Sequence, residues 1–166
     1  MTETNYITSS PLGNLLIKAT DTAVVAVLFI MQGNETPVIE KKAGHHPLIK
    51  KCCSQLSEYF EGTGKEFDLP VQQSGTPFQQ KVWNKLTSIP YGQTISYFEL
   101  SKRMGDPKAI RAVGTTNGKN QVSIIIPCHR VIGSNGDLTG YAGELWRKQW
   151  LLEHEAKFGN GVQLLF

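Results

Sequence analysis

Apolar residues in the first third of the chain form two short runs typical of β-strands. Leu15–Ala19 and Val24–Phe29 are rich in Leu, Val and Ile, and the turn-forming residues Thr20–Thr22 separate them. This pattern predicts a β-hairpin. From Pro47 to Phe60 the apolar positions recur instead at near-helical spacing, and the glycines of Gly62–Gly64 follow. The sequence therefore predicts a helix that ends at these glycines.

A polar segment rich in turn-forming residues, Gln72–Pro77, is the best candidate for a linker between domains. After it, apolar residues lie on one face of a predicted helix over Phe78–Ile89. Thr76 has the side chain of a helix cap, and Pro77 suits the first helical position. We therefore expect a new domain to begin with this helix.

The second half of the chain contains a predicted helix-turn-helix. Two short helices, Ser96–Met104 and Pro107–Thr116, are separated by a turn at Gly105. The β-branched run Val122–Ile126 predicts a buried strand, which Pro127 ends because proline has no amide hydrogen.

A last predicted helix spans Gly143–Phe158. Together these elements predict an α+β protein with two small domains. Residues 1–75 form an N-terminal α/β domain with an antiparallel sheet, and residues 76–166 form a mainly helical domain that contains the helix-turn-helix.

The positive charge of the chain lies in its second half. Residues 1–76 contain 6 Lys and Arg against 8 Asp and Glu, whereas residues 77–166 contain 11 against 6, although the whole chain has a net charge of only +3. A basic half is what a polyanionic partner such as a nucleic acid requires.

Composition also limits the location of the protein. No run approaches the roughly 20 apolar residues of a membrane span, and the first ten residues have neither the basic nor the apolar part of a signal peptide. The three cysteines, Cys52, Cys53 and Cys128, form an odd set that does not predict a disulfide framework. We expect a cytosolic protein with no membrane partner.

The segment Pro127–Val131, with the sequence PCHRV, carries the strongest chemical signal. A cysteine thiolate is a strong nucleophile toward saturated carbon, but a free thiol with a pKa of ~8.5 is mostly protonated at neutral pH. His129 directly follows Cys128 and is a candidate base for its proton. Neighbouring residues of an extended strand point to opposite faces, so we do not expect direct contact between the two side chains.

This segment resembles the active-site signature of the O6-alkylguanine-DNA alkyltransferases. Further elements recur in the order and spacing of that family, strongly over residues 77–157 and loosely before residue 75. They are Ile95–Tyr97, Lys108–Gly114, Asn120, Tyr141 and Trp150–Glu155. The resemblance implies a ribonuclease H-like N-terminal domain and a winged-helix-like C-terminal domain. It also implies repair of double-stranded DNA without a cofactor, by irreversible single-turnover transfer of an alkyl group from O6-alkylguanine to Cys128, with O4-alkylthymine as a further candidate substrate.

The resemblance also assigns roles at the alkyl-acceptor site. Glu155 would orient His129, which would reach Cys128 through a bridging water. Tyr97 would donate a proton to the guanine ring, because a guanine anion is a poor leaving group. Asn120 would brace the turn that carries the cysteine. The carbonyls of Cys128 and Val131 would accept the guanine amino group, and the Ala142 amide, next to Tyr141, would contact O6, although the family often has serine at position 142.

For DNA, the resemblance implies minor-groove binding by the second helix of the helix-turn-helix and extrusion of the damaged nucleotide. Arg111 would fill the gap left in the base stack, while Ala112 and Gly114 would allow close approach. Ile110 is bulkier than the alanine common in the family. We expect a monomer in solution, with cooperative assembly on DNA as an open alternative.

Three other functions compete with this one. An alkyltransferase-like binding protein lacks the acceptor cysteine, which is present here as Cys128. A transcription factor would not need Cys128, His129 and Glu155 together, and a cysteine hydrolase would show turnover. His45, His46, Cys52 and Cys53 could suggest zinc, but a structural role of the cysteines is favoured and we expect no metal.

Overall fold

The computed structural model describes residues 2–31 and 43–159. Contacts divide the chain into two compact units. One comprises the described residues up to Gln73 together with Gln121–Ile125, and the other comprises Ser74–Asn120 together with the described residues from Ile126 onward. Within the described ranges, no helix is long and apolar enough to cross a membrane.

A three-stranded antiparallel sheet organises the first unit. Its strands are β1 (Thr4–Thr8), β2 (Leu15–Ala19) and β3 (Val24–Phe29), in that order across the sheet. The predicted hairpin is confirmed, because β2 pairs with β3 with Ile17 opposite Val27. Leu15, Ile17 and Val27 are fully buried, so the apolar pattern that predicted the strands also supplies the core. Strand β1 was not predicted from the sequence.

Helix α1 (Pro47–Glu61) packs against this sheet. His46 caps it by accepting a hydrogen bond from the Leu48 amide, and Pro47 takes the first position. Gly62 ends the helix in the left-handed conformation, with φ of 84°. The predicted helix is confirmed with a one-residue difference at its end. A short 3-10 helix, Ala43–His45, precedes it.

The strand predicted over Val122–Ile126 is wrong. Only Val122 forms a bridge, with Val27 at the outer edge of β3, where the Val27 amide donates to the Gln121 carbonyl at 2.9 Å. Ile124 has a φ of 72°, and a residue in this left-handed conformation cannot continue a strand. The segment is nevertheless buried, so its apolar pattern reflects burial and not strand pairing.

The second unit begins with α2 (Pro77–Leu86), which Thr76 and Gln79 cap reciprocally, with Pro77 at the start as predicted. The predicted helix-turn-helix is present as α3 (Tyr97–Arg103) and α4 (Ile110–Gly118). Helix α4 starts three residues later than predicted, because the Asp106 carboxylate holds the Lys108 amide in a turn at 3.0 Å.

A two-residue parallel pairing connects the start of α3 to the segment after the PCHRV cysteine. Strand β4 (Ile95–Ser96) pairs with β5 (Val131–Ile132), and a 3-10 helix, Cys128–Arg130, leads directly into β5. Helix α5 (Leu145–Gly159) completes the unit, close to the predicted Gly143–Phe158. The protein is therefore α+β, with an antiparallel sheet in one unit and a mainly helical second unit.

Candidate active site

Cys128 begins the 3-10 helix of the second unit, and side chains from the C-terminal part of α4 and the residues just beyond it hold its backbone. The Asn120 side-chain amide donates to the Ile126 carbonyl at 2.9 Å, and that of Asn117 donates to the Cys128 carbonyl at 3.2 Å. The Val131 amide donates to the same Cys128 carbonyl. Side-chain and backbone donors therefore fix the Ile126 and Cys128 carbonyls of the turn that carries the cysteine.

The Cys128 thiol is free and only 4% exposed. Burial raises its pKa, against the opposing effects of the Asn120 side chain, the Lys148 charge and the backbone amides of Cys128 and His129. A buried thiol of this kind needs a proton acceptor before it can act as a nucleophile.

His129 and Glu155 form a buried pair that fits this need. The His129 Nε2 atom lies 2.6 Å from Glu155 Oε2, and both side chains are at most 1% exposed. Burial lowers the pKa of His129, although the neighbouring Glu155 carboxylate opposes this effect. The neutral form of the ring is therefore favoured. Because Nε2 then donates to the carboxylate, Nδ1 carries the lone pair. Nδ1 is buried and has no hydrogen-bond partner among the described residues.

The expectation that Cys128 and His129 lie on opposite faces of a strand does not apply, because both residues are part of the 3-10 helix. Side chains of neighbouring residues point to opposite faces only where the backbone is extended, and the chain is not extended at these two residues.

Arg130 was not predicted as a site residue, yet it holds the same carboxylate. Its Nε donates to Glu155 Oε1 at 2.8 Å and its Nη2 to Oε2 at 3.2 Å, while its Nη1 donates to the Ile89 carbonyl at 2.6 Å. The Gly92 amide donates to Oε1 at 3.2 Å. Burial alone would raise the pKa of Glu155, but His129 and Arg130 outweigh burial and hold it well below its usual range. The available signal was the position of Arg130 within the PCHRV segment.

Lys148 was also missed, and it lies beside Tyr97. Its ammonium group donates to the Tyr97 hydroxyl at 3.3 Å and to the Thr139 carbonyl at 2.8 Å, and the Tyr97 hydroxyl donates to the same carbonyl at 2.9 Å. Lys148 is fully buried, and burial lowers its pKa to about 8, which the nearby Cys128 opposes. Lys148 precedes Glu155 by seven residues, about two helical turns, and this spacing could have indicated that both face the site.

Of the residues predicted to meet DNA, Arg111, Ala112 and Gly114 lie on α4, and Tyr97 is the first residue of α3. Arg111 and Ala112 are exposed, as is Ile110. A Cβ at Gly114 would lie 3.7 Å from the Tyr97 ring, so α4 passes close to that ring. Of the predicted pocket residues, Val131 and Tyr141 are buried and Ala142 is exposed.

The structure thus brings together Cys128, His129, Glu155 and Asn120, with Tyr97 joined to them through Lys148. Burial also raises the pKa of Cys52, to about 12, and that of Cys53. Among the described residues, no group of three or more His, Cys, Asp and Glu side chains could hold a metal ion. These features define a protein with one buried cysteine and a buried His–Glu pair in the same unit as a helix-turn-helix.

Comparison with known proteins specifies this class further. Residues 77–157 match the DNA-binding domain of 6-O-methylguanine DNA methyltransferase, and residues 4–73 match its ribonuclease-like domain. The chain is 42% identical over 149 residues to the methylated-DNA–protein-cysteine methyltransferase of Methanosarcina acetivorans, covering 90% of this chain and 96% of that protein.

Solved structures agree with the sequence comparisons. The Mycobacterium tuberculosis O6-methylguanine methyltransferase has a TM-score of 0.84 and 38% identity, covering 97% of both chains. The M. tuberculosis OGT protein in complex with DNA has a TM-score of 0.82 and 40% identity, covering 92% of both. The chain belongs to the 6-O-methylguanine DNA methyltransferase family.

Proposed function

We propose that this protein repairs DNA by transferring a methyl or other alkyl group from the O6 atom of guanine to its own Cys128, once per molecule. The observation that carries the proposal is the buried Cys128 thiol beside a His129–Glu155 pair whose Nδ1 atom is free to accept a proton. The position of this constellation inside the matched residues 77–157 supports it.

In this reaction the Cys128 thiol gives its proton to His129 Nδ1 through a bridging water. The Sγ atom then forms a bond to the alkyl carbon while the bond from that carbon to O6 breaks. The released electron pair goes to the guanine ring, which Tyr97 protonates. The product is a thioether, which has no facile route back to a thiol, so the protein acts stoichiometrically.

The C-terminal domain, residues 76–166, binds double-stranded DNA in this proposal, and the N-terminal domain is residues 1–75. Arg111 and Ala112 lie exposed on α4, and Gly114 leaves space beside Tyr97. These residues suit a helix that enters the minor groove, with Arg111 filling the stack when the nucleotide rotates out. A relative solved with DNA supports this partner.

Val131, Tyr141 and Ala142 line the base pocket in the same proposal. Val131 is the first residue of β5, next to the 3-10 helix of Cys128, and its carbonyl would accept a hydrogen bond from the guanine amino group. The Ala142 amide would contact O6. The protein works as a monomer in a reducing compartment, where its three cysteines remain free.

Mass spectrometry after mixing the protein with duplex DNA containing O6-methylguanine tests the proposal. One methyl group should appear on the Cys128 peptide, and Cys128→Ser should bind DNA without accepting it. Methylation of Cys52 or Cys53, or several turnovers per molecule, would falsify the assignment.

A comparison of two variants separates base extrusion from alkyl transfer. The Arg111→Ala variant should react slowly with alkylated duplex DNA, because extrusion of the base costs a few kcal/mol. It should react normally with free O6-benzylguanine. His129→Ala should slow both reactions by about 10²-fold, as for other general bases. Raising the pH should partly restore both rates. Equal slowing of both substrates by Arg111→Ala would contradict this division of roles.

A further inference from the structure

A cleft in the first unit takes no part in the alkyl-transfer steps. Its volume is about 370 Å³, within the range of about 300–1,000 Å³ that is typical of small-molecule sites. The end of β1, the loop after it and the start of β2 form one side, and the C-terminal half of α1 forms the other. All of the residues that line the cleft belong to the first unit, whereas Cys128 belongs to the second.

The inner surface of the cleft is apolar. Leu15 and Leu56 line it and are at most 2% exposed, so they form its base. Phe60 is half-buried, and its ring packs edge-on against the fully buried Tyr59, with 5.4 Å between the ring centroids. The Phe60 ring is therefore a fixed side wall of the cleft. An aromatic or branched aliphatic group that entered the cleft would cover this surface and gain the free energy of apolar burial.

Two pairs of polar side chains also line the cleft. The Cys53 thiol is hydrogen-bonded to Thr8, and burial raises the pKa of this thiol despite the bond, so the thiol is neutral. In the second pair, the Ser57 hydroxyl donates to Glu61 Oε1 at 3.4 Å. Glu61 is consequently the only charged side chain among the described residues that line the cleft.

The position of Glu61 on α1 is electrostatically unfavourable. Glu61 is the last residue of the helix, and the last turn contains no basic residue. A helix C-terminus carries a partial negative charge, so cations stabilise it and a carboxylate does not. Within the described ranges, Glu61 forms no salt bridge. Departures from such local rules are expected at functional positions, and here a bound cation would remove the conflict.

We infer that this cleft binds a small primary amine with an aromatic or branched aliphatic body. The ammonium group of the ligand donates to the Glu61 carboxylate, and the apolar body covers Leu15, Leu56 and Phe60. An ammonium group has three donors and no acceptor, which matches a carboxylate. Phosphates and carboxylates are excluded as ligands, because they would face Glu61 and the negative end of α1. The cleft is therefore a small-molecule site and not a further DNA contact.

NMR titration of the isotope-labelled full chain tests the inference with three probes of similar size: phenethylamine, phenethyl alcohol and hydrocinnamate. The backbone amide signals of Cys53–Glu61 should shift saturably with the cation phenethylamine. The neutral alcohol should bind more weakly, and the anion hydrocinnamate should not bind. In Glu61→Gln the affinity for phenethylamine should fall by about 5-fold, the upper range for an exposed ion pair. The affinity for phenethyl alcohol should not change.

Glu58→Gln is the matched control, because Glu58 is exposed on the same helix but does not line the cleft. It removes the same charge and should leave the affinity for phenethylamine nearly unchanged. Ser57→Tyr places a ring in the cleft from an exposed helix position and should abolish binding. The inference is overturned by an absence of saturable shifts, by equal affinity for hydrocinnamate, or by an affinity that Glu61→Gln lowers no more than Glu58→Gln does.

Discussion

Arg130→Met should destabilise the protein strongly, because it removes one side of a buried ion pair. The guanidinium group makes two hydrogen bonds to Glu155 and one to the Ile89 carbonyl, at 2.6 to 3.2 Å. The Glu155 carboxylate is 1% exposed, so it would remain buried with its charge poorly compensated. Breaking such a pair from one side typically costs about 3–5 kcal/mol of unfolding free energy, a large share of the roughly 5–15 kcal/mol of a typical domain.

The pH dependence of this loss has a definite sign. Glu155 has a folded-state pKa below its usual value, so it contributes stability that is present above the unfolded pKa of about 4.3 and is lost as pH falls through the folded value. In Arg130→Met the folded pKa should move upward, which reduces that contribution. The difference in stability between the two proteins should therefore be largest near neutral pH and shrink below pH ~4.

Urea unfolding followed by tryptophan fluorescence at several pH values measures both effects. Arg130→Lys is the matched control, because it keeps the charge but loses the planar pair of donors. Its unfolding free energy should lie between those of the unaltered protein and Arg130→Met. A double variant with Glu155→Gln should recover part of the loss, since the uncompensated charge is gone. A loss below about 1 kcal/mol, or one that does not change with pH, would refute the reasoning.

Two further variants test other parts of the second unit. Glu144 has a φ of 72°, so Glu144→Gly should raise the unfolding free energy by about 0.5–1 kcal/mol through relief of backbone strain; a lower melting temperature would show that its exposed hydrogen bond to Trp146 matters more. Lys148→Met removes a charge that lowers the pKa of Cys128, so the rate with free O6-benzylguanine should fall at pH 7 and the rate profile should shift to higher pH. An unshifted profile would show that Lys148 does not act on the thiol.

The sequence predicted those elements whose periodicity and end signals agree. The hairpin has buried Ile17 facing buried Val27, and α2 has Thr76 and Pro77 at its start. Strand β1 was missed because its residues, Thr4–Thr8, are all half-buried and largely polar, which leaves no alternation to detect. The Val122–Ile126 strand was wrong because the apolar run reports burial, while the left-handed Ile124 depends on tertiary packing.

At the candidate site, the motif residues were found and their supporting residues were not. Arg130, Lys148 and Asn117 are charged or polar, and such residues are by default expected at the surface. Only the fold shows that Arg130 and Lys148 are buried against Glu155 and Tyr97. Spacing along α5 and position within a motif give weak hints, whereas an amide such as Asn117 gives none before its partners are known.

The contribution of Gln121–Ile125 to the first unit has a consequence for how the protein is made. During synthesis the sheet, which ends at Phe29, emerges about 90 residues before this segment, a delay of about 5–18 s at typical elongation rates of about 5–20 residues per second. Until then Val27, on the outer edge of β3, lacks the pairing partner that it has in the finished protein. An unpaired strand edge is a site of aggregation. Nascent chains stalled between Gln73 and Gln121 should therefore be prone to aggregate, and an isolated fragment of residues 1–75 should fold poorly even though it holds all three strands.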